Sequence, residues 1–296
     1  MLCAEGEAMK LKRVGFIGVG AMGLPMARNL LKHGYEVQVA VHRNPRPVEE
    51  LRSLGAAVHP HLEHVALNSE ALISILPADR EMEQVLLDES IAGALPADCI
   101  LIEMTSGSPA TMKAIHAAYS ERGIRVLDAP VSGGTAGAEN GTLTVMAGGD
   151  EDVLDEVRPL LAAMAGNIWR VGPVGAGKAV KAINQMLAGI HMIASAEALA
   201  LAGKLEIDPE TLVRVIGSSS GASWMLLNKW ETIVKRDFKP GFKQRLMKKD
   251  VQIAVEEGRD LPLPLAHLAL QLYNMTGKQI GEQDFSAIAG YILGDE

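Results

Sequence analysis

Residues 14–26 read VGFIGVGAMGLPM, an apolar run that passes into three glycines and then a proline. Glycine suits neither a strand nor a helix interior, so Gly18, Gly20 and Gly23 need a geometric reason where one element hands over to the other. In a Gly-x-Gly-x-x-Gly turn, the first glycine permits the tight turn and the second lets backbone approach a pyrophosphate. The third lets the helix pack closely on its strand. The helix start, with Val19, Ala21 and Met22 between the glycines, then presents N–H groups to phosphate oxygens. Such a triplet is weak evidence alone in a chain with 30 glycines. The apolar run before it, the helical pattern after it and a second strand near residue 40 supply the context of a dinucleotide-binding turn.

That turn opens an alternating half. Apolar runs of strand length recur at RVGFIG (13–18), EVQVAV (36–41), ALISIL (71–76), CILIEM (99–104) and IRVLDA (124–129). Between most of them lie helical stretches, at 22–33, 80–87 and 109–122. Continuous rather than alternating apolar strands, separated by helices, predict a parallel sheet covered on both faces. A further run, GTLTVMAGG (141–149), a helix at 152–165 and a short strand at 168–172 follow.

The pattern then changes. Residues 177–204 contain no proline and are rich in Ala, Leu, Met and Ile, which predicts one helix roughly 40 Å long. Only helical segments follow. The expected organisation is a flexible leader (1–12), an α/β doubly wound domain (13–173) and an all-helical domain (174–296) that includes the long helix.

The charge of −8 argues against a partner whose phosphates must be neutralised in number, so no nucleic acid is expected. Two cysteines, Cys3 and Cys99, make neither a disulfide framework nor a zinc cluster. No apolar run is expected to reach the ~18 residues of a membrane span, and the start shows no targeting pattern. The expectation is a cytoplasmic protein with no membrane partner. His59, His61, Glu63 and His64 crowd together, but nothing elsewhere completes a metal site, so no metal is expected.

A dinucleotide site of the NAD type usually carries Asp or Glu at the end of its second strand, holding the ribose 2′-OH. Here the turn reads His42, Arg43, Asn44, with Arg46 nearby. A guanidinium binds a 2′-phosphate through paired charge-assisted bonds, and a carboxylate would repel it. The expected cofactor is NADP, with NAD second. Leu76–Pro77 and Thr105 follow strands, at the carboxyl edge where open α/β sheets bind ligands. Ser108 before Pro109 reads as a helix cap. Ser132, Gly133 and Gly134 follow another strand, where successive N–H groups and a hydroxyl can form an anion-binding concavity; a plain glycine turn is the rival reading.

Lys181, Asn184 and Gln185 share one face of the long helix, at i, i+3 and i+4. The surrounding positions are apolar, so this polar stripe needs a partner. Gly177 lies one turn earlier on that face, where a side chain would crowd a ligand. On position alone, Lys181 reads equally well as a surface lysine that snorkels, which is the expectation for Lys178.

Four blocks resolve that choice: GFIGVGAMGLPMARNLLKHGY, DAPVSGGTAGAENGTLTVMAGG, GPVGAGKAVKAINQ and FKQRLMKKDVQIA. In this order, across most of the chain, they resemble the β-hydroxyacid dehydrogenase family, which includes 3-hydroxyisobutyrate dehydrogenases and tartronate semialdehyde (2-hydroxy-3-oxopropionate) reductases. The resemblance implies a Rossmann domain, a helical domain of the 6-phosphogluconate dehydrogenase type, catalysis in the cleft between them and a homodimer or homotetramer.

It also assigns roles. Lys181 becomes the general acid/base, with Asn184 orienting it. Leu76, Pro77 and Thr105 would line the nicotinamide ribose, and Ser132, Gly133, Gly134 and Gln185 would hold a substrate carboxylate. Phe242, Lys249 and Asp250 match the last block, with Lys249 reaching cofactor or substrate; a solvated charged helix face is the rival there. Members that use NADP carry an Asn-Arg pair at the turn where this chain has His42-Arg43-Asn44. The expected substrate is a short carboxylate with an aldehyde one carbon further out: tartronate semialdehyde first, then succinic and methylmalonate semialdehydes. An imine reductase-like enzyme and a non-catalytic NADP-binding protein are the alternatives, and Lys181 counts against both.

Overall fold

In the computed structural model, residues 11–42 and 44–294 are described. The chain is α/β, and its contacts divide it into two units, one ending at Lys181 and one beginning at Ala182.

The first unit alternates as its apolar runs require: β1 (Arg13–Ile17), α1 (Gly23–Lys32), β2 (Glu36–Ala40), α2 (Arg46–Ser53), β3 (Ala57–His59), α3 (Leu62–Leu67), β4 (Ala71–Ser74), α4 (Asp79–Leu86), α5 (Glu89–Ala92), β5 (Ile100–Glu103), α6 (Pro109–Ser120) and β6 (Arg125–Asp128). These six strands lie parallel in the order 3-2-1-4-5-6. The two central strands β4 and β5 are buried along their whole length, and separate apolar clusters cover the two faces of the sheet. Beyond β6 the sheet continues through β7 (Val131–Ser132), α7 (Gly134–Asn140), β8 (Leu143–Gly148), α8 (Glu151–Ala162) and β9 (Ala165–Gly172). Strand β8 runs antiparallel to β6 and β7 and parallel to β9.

Three strands differ from expectation. The two-residue β7 holds Ser132 within a strand, not after one. Strand β3 has three residues and no continuous apolar run, so only its pairing with β2 identifies it. Strand β9 begins three residues before the expected start, because Ala165 and Asn167 pair with β8 across a register shift.

The long helix α9 (Ala176–Lys204) has 29 residues and spans the division between the units. By length and composition it is long and apolar enough to cross a membrane, which core helices of this length also satisfy. In the second unit it meets α10 (Pro209–Gly217), α11 (Trp224–Lys235), α12 (Gln244–Glu257), α13 (Pro264–Ile280), a 3₁₀ turn (Phe285–Ala287) and α14 (Ile288–Ile292). Met192, Ile193, Met247, Val251, Tyr273 and Ile288 form the centre of that unit's own core.

Candidate active site

The order of the parallel strands reverses direction between β1 and β4, the position where open α/β sheets bind dinucleotides. Gly18 leaves β1 there with φ +98°, and a Cβ on it would lie 2.0 Å from the Ile75 carbonyl oxygen. Only glycine meets both conditions. Gly20 is exposed, and a Cβ there would meet nothing within 4 Å, so open space lies over the turn. Gly23 begins α1, where a Cβ would strike the Gly18 carbonyl. Val19 and Met22 are half-buried, Ala21 is exposed, and the first turn of α1 holds no acidic residue. This donor set fits a pyrophosphate.

His42 and Asn44 are exposed at the end of β2, where Asn44 accepts a hydrogen bond from the Arg46 N–H at 3.2 Å. Arg43, the residue expected to read a 2′-phosphate, lies outside the described residues, as does the leader to residue 10.

Further along the same edge, the Thr105 hydroxyl accepts from the Leu76 N–H at 2.8 Å and donates to the Glu103 carboxylate. Thr105 thus ties the loop after β4, with Pro77, to the loop after β5. A second clasp lies beside it: Asp79 accepts from the Ser108 N–H at 2.8 Å, and Ser108 caps α6 by accepting from the Thr111 N–H. Ser132 closes β7, and Gly133 and Gly134, at φ +134° and +62°, turn the chain into α7.

The largest departure from sequence expectation is Lys178. It is fully buried, not a snorkelling surface lysine. Its ammonium pairs with the carboxylates of Glu103 and Asp128, both also fully buried, and donates to the Thr105 carbonyl at 2.6 Å. Burial alone would pull this lysine's pKa down, but two flanking carboxylates overcome it and hold the pKa above its ordinary value. Burial raises the Asp128 carboxyl; Lys178 opposes this, and Glu103 adds to it. Asp128 also accepts the N–H groups of Gly175 and Lys178, both at 3.0 Å, an anion at the start of α9.

Gly177 also departs from its expected role. A Cβ there would lie 2.4 Å from the Met146 carbonyl and 2.9 Å from that of Asp128, so its smallness serves close packing on β6 and β8. A signal for all of this was present in the sequence: Glu103 ends the strand ILIE and Asp128 ends RVLD, each an acid directly after buried apolar residues.

One turn after Lys178, Lys181 is buried at 6% exposure, as is Gln185, with Asn184 half-buried between them. Asn184 donates to the Gln185 side-chain oxygen at 3.0 Å, and the Gln185 amide donates to Asp250 at 2.9 Å. Lys249 stands 3.1 Å from the other Asp250 oxygen. Asn184, Gln185, Lys249 and Asp250 thus form one polar group between α9 and α12. The Phe242 ring stacks edge-to-face on Phe285, 6.0 Å between centroids, and its N–H donates to Asp284. Among the histidines, His59 bonds Gln38 at 2.8 Å, and the described residues hold no cluster of three or more metal-type ligands.

Comparison with known proteins bears on the family and the fold. Residues 13–172 match the family model of the NAD binding domain of 6-phosphogluconate dehydrogenase. Residues 175–292 match that of the NAD-binding domain of NADP-dependent 3-hydroxyisobutyrate dehydrogenase. The chain is 38% identical over 289 residues to an NAD-dependent L-serine dehydrogenase of Pseudomonas aeruginosa, covering 94% of this chain and 97% of that one. It is 36% identical to a 2-hydroxy-3-oxopropionate reductase of Escherichia coli, covering 93% and 95%. A 3-hydroxyisobutyrate dehydrogenase of Mycobacterium tuberculosis, solved with L-serine, superposes with a TM-score of 0.88 at 32% identity, covering 96% of this chain and all of that one.

Proposed function

The chain belongs to the β-hydroxyacid dehydrogenase family, and we propose that within it this protein reduces a C3–C4 aldehyde acid with NADPH, or oxidises the corresponding 3-hydroxyacid. Tartronate semialdehyde stands first, ahead of succinic and methylmalonate semialdehydes. One observation carries the reading: a buried lysine, Lys181, on the same helical turn as Asn184 and Gln185. Burial alone does not mark a lysine as catalytic, since Lys178 is buried against Glu103 and Asp128; the shared turn with Asn184 and Gln185 is what distinguishes Lys181.

The Gly18–Gly23 turn would hold the pyrophosphate, and Arg43 with Asn44 would hold a 2′-phosphate. NADPH, when bound, supplies the hydride. As the carbonyl carbon is reduced, its oxygen gains alkoxide character. The Lys181 ammonium stabilises that oxygen and gives it a proton. In the oxidative direction the neutral amine takes the proton back. Asn184, anchored through Gln185 to Asp250, orients the amine or the reacting oxygen. Ser132, Gly133 and Gly134 supply donors to the substrate carboxylate.

The test is NADPH and NADH oxidation over a panel of the three semialdehydes and cyclic imines, with L-serine and 3-hydroxyisobutyrate in the reverse direction. Turnover of an aldehyde acid with NADPH at kcat/KM above ~10³ M⁻¹s⁻¹ supports the reading. Turnover of imines alone, or of nothing, refutes it. A second reading, NAD-dependent oxidation of L-serine, follows the named activity of the Pseudomonas relative, and the same panel separates it.

A homo-oligomer is part of the proposal. Ile183, Leu187 and Leu201 on α9, and Leu205 just past its end, are exposed and spaced symmetrically about Ala194. A second copy packed antiparallel would set like residues against like, the self-complementarity a two-fold interface requires. Light scattering that shows only monomer at micromolar concentration would exclude it.

A further inference from the structure

We propose that Lys178 is a positioning residue for the hydride-transfer step, locking the cofactor edge of the sheet to the helix that carries Lys181. The inference rests on the functional reading above, and it concerns a residue with no expected contact to cofactor or substrate.

Three charged side chains, each at 0% exposure, meet from three distant segments: Glu103 at the end of β5, Asp128 at the end of β6 and Lys178 in the first turn of α9. Burying them gives little stability by itself, since desolvation offsets most of the Coulomb attraction. What the cluster does specify is geometry. The Lys178 ammonium donates to the Glu103 carboxylate and to the Thr105 carbonyl, and it faces Asp128 Oδ1 at 3.3 Å.

The Glu103 carboxylate in turn accepts from the Thr105 N–H, at 3.1 and 3.2 Å, and from its hydroxyl. That hydroxyl accepts from the Leu76 N–H. A continuous run of hydrogen bonds therefore leads from Leu76, through Thr105 and Glu103, to Lys178. From its other end, the Lys178 main-chain N–H bonds Asp128, which holds the first turn of α9 to β6.

One residue thus grips the cofactor edge with its side chain and the catalytic helix with its backbone. Lys181 follows three positions later. An ammonium supplies three donors, and no neutral side chain of that length supplies as many. A shift of about 1 Å between reacting groups costs on the order of 10²-fold in rate, so this link bears on turnover.

The experiment compares wild type with Lys178→Gln and Glu103→Gln, both checked for folding by circular dichroism. Each is measured for kcat, KM, the primary isotope effect with 4-deuterated NADPH, and affinity for NADPH. Affinity for the adenosine half alone is measured with 2′,5′-ADP (5′-AMP if the enzyme prefers NAD). In Lys178→Gln, kcat is expected to fall about 30-fold or more with KM changed less than about threefold, and the isotope effect to rise as hydride transfer slows. NADPH affinity should weaken about fivefold, with adenosine-half affinity unchanged. Glu103→Gln should shift each quantity in the same direction by less.

A folded Lys178→Gln enzyme with kcat within about threefold of wild type overturns the proposal. Equal loss of NADPH and adenosine-half affinity also overturns it, as does failure of both variants to fold, which would make the cluster a folding element only. If wild type turns over no aldehyde acid, the functional reading fails. The ratio of NADPH to adenosine-half affinity still decides the role of Lys178.

Discussion

Asp128 in the first unit and Asp284 in the second are both buried carboxylates facing a lysine, yet their pKa values move in opposite directions. For Asp284, too, burial pushes upward. Five donors outweigh it: the Ser286 hydroxyl at 2.6 Å, the Lys229 ammonium at 3.1 Å, and the N–H groups of Gly241, Phe242 and Ser286. Asp128 accepts two N–H groups and must share its lysine with Glu103, whose charge repels it. Burial is the largest influence on both carboxyls and pushes both upward; the donors around Asp284 outweigh it, and those around Asp128 do not. The Asp284 hub closes a loop onto a 3₁₀ turn. The Asp128 cluster holds the end of the sheet against the helix that bears Lys181. Asp284 is thus expected to bear on stability and the Asp128 cluster, on the proposal above, on rate.

The sharpest test of that division is Lys181→Ala. It should lower kcat by about 10²–10⁴-fold, while NADPH binding followed by fluorescence stays near wild type. A variant keeping more than about a tenth of kcat would remove Lys181 from the acid–base role. Asp284→Ala should do the reverse. Leaving Lys229 and three N–H groups, one buried and two part-buried, without their acceptor costs on the order of 3 kcal/mol, read as a shifted denaturant midpoint, and any folded fraction should retain its specific activity. A loss of kcat without loss of stability would break the comparison.

The smallest effect concerns acid. Asp284, with its pKa lowered on folding, contributes stability above the ordinary carboxylate pKa, and that contribution is lost as pH falls through the lowered value. Asp128, with its pKa raised, has the opposite sign: stability declines as pH rises from the ordinary carboxylate value of 3.8 through the raised one. Urea titrations across that range should show a shallower acid loss in Asp284→Asn than in wild type, and a steeper net rise with pH in Asp128→Asn. Identical slopes in the two variants would mean that the carboxylates titrate alike.

Much of this was legible in the chain. The five long apolar runs became β1, β2, β4, β5 and β6, because a strand buried on both faces must be apolar throughout and leaves that mark in sequence. Gly18 was legible because backbone geometry at a tight turn admits no other residue. The three-residue β3 was not, since its identity lies in its bonds to β2 rather than in its composition. At Gly177 the need for a small residue was visible but its cause was not. Whether a Cβ would meet a ligand or a carbonyl depends on which strands lie beneath the helix.

Sequence alone determined the order of elements, the dinucleotide turn and the helix face bearing Lys181, Asn184 and Gln185, because each depends on residues within a turn or two of one another. Only the tertiary structure decided that Lys178, three residues before Lys181 on the same helix, lies in the core and not along the surface. A lysine's long apolar stem lets it lie along a surface or reach into a core, and local sequence does not choose between these. The choice for Lys178 was made by Glu103 and Asp128, 75 and 50 residues away, whose buried charges only a cation brought by the fold could balance.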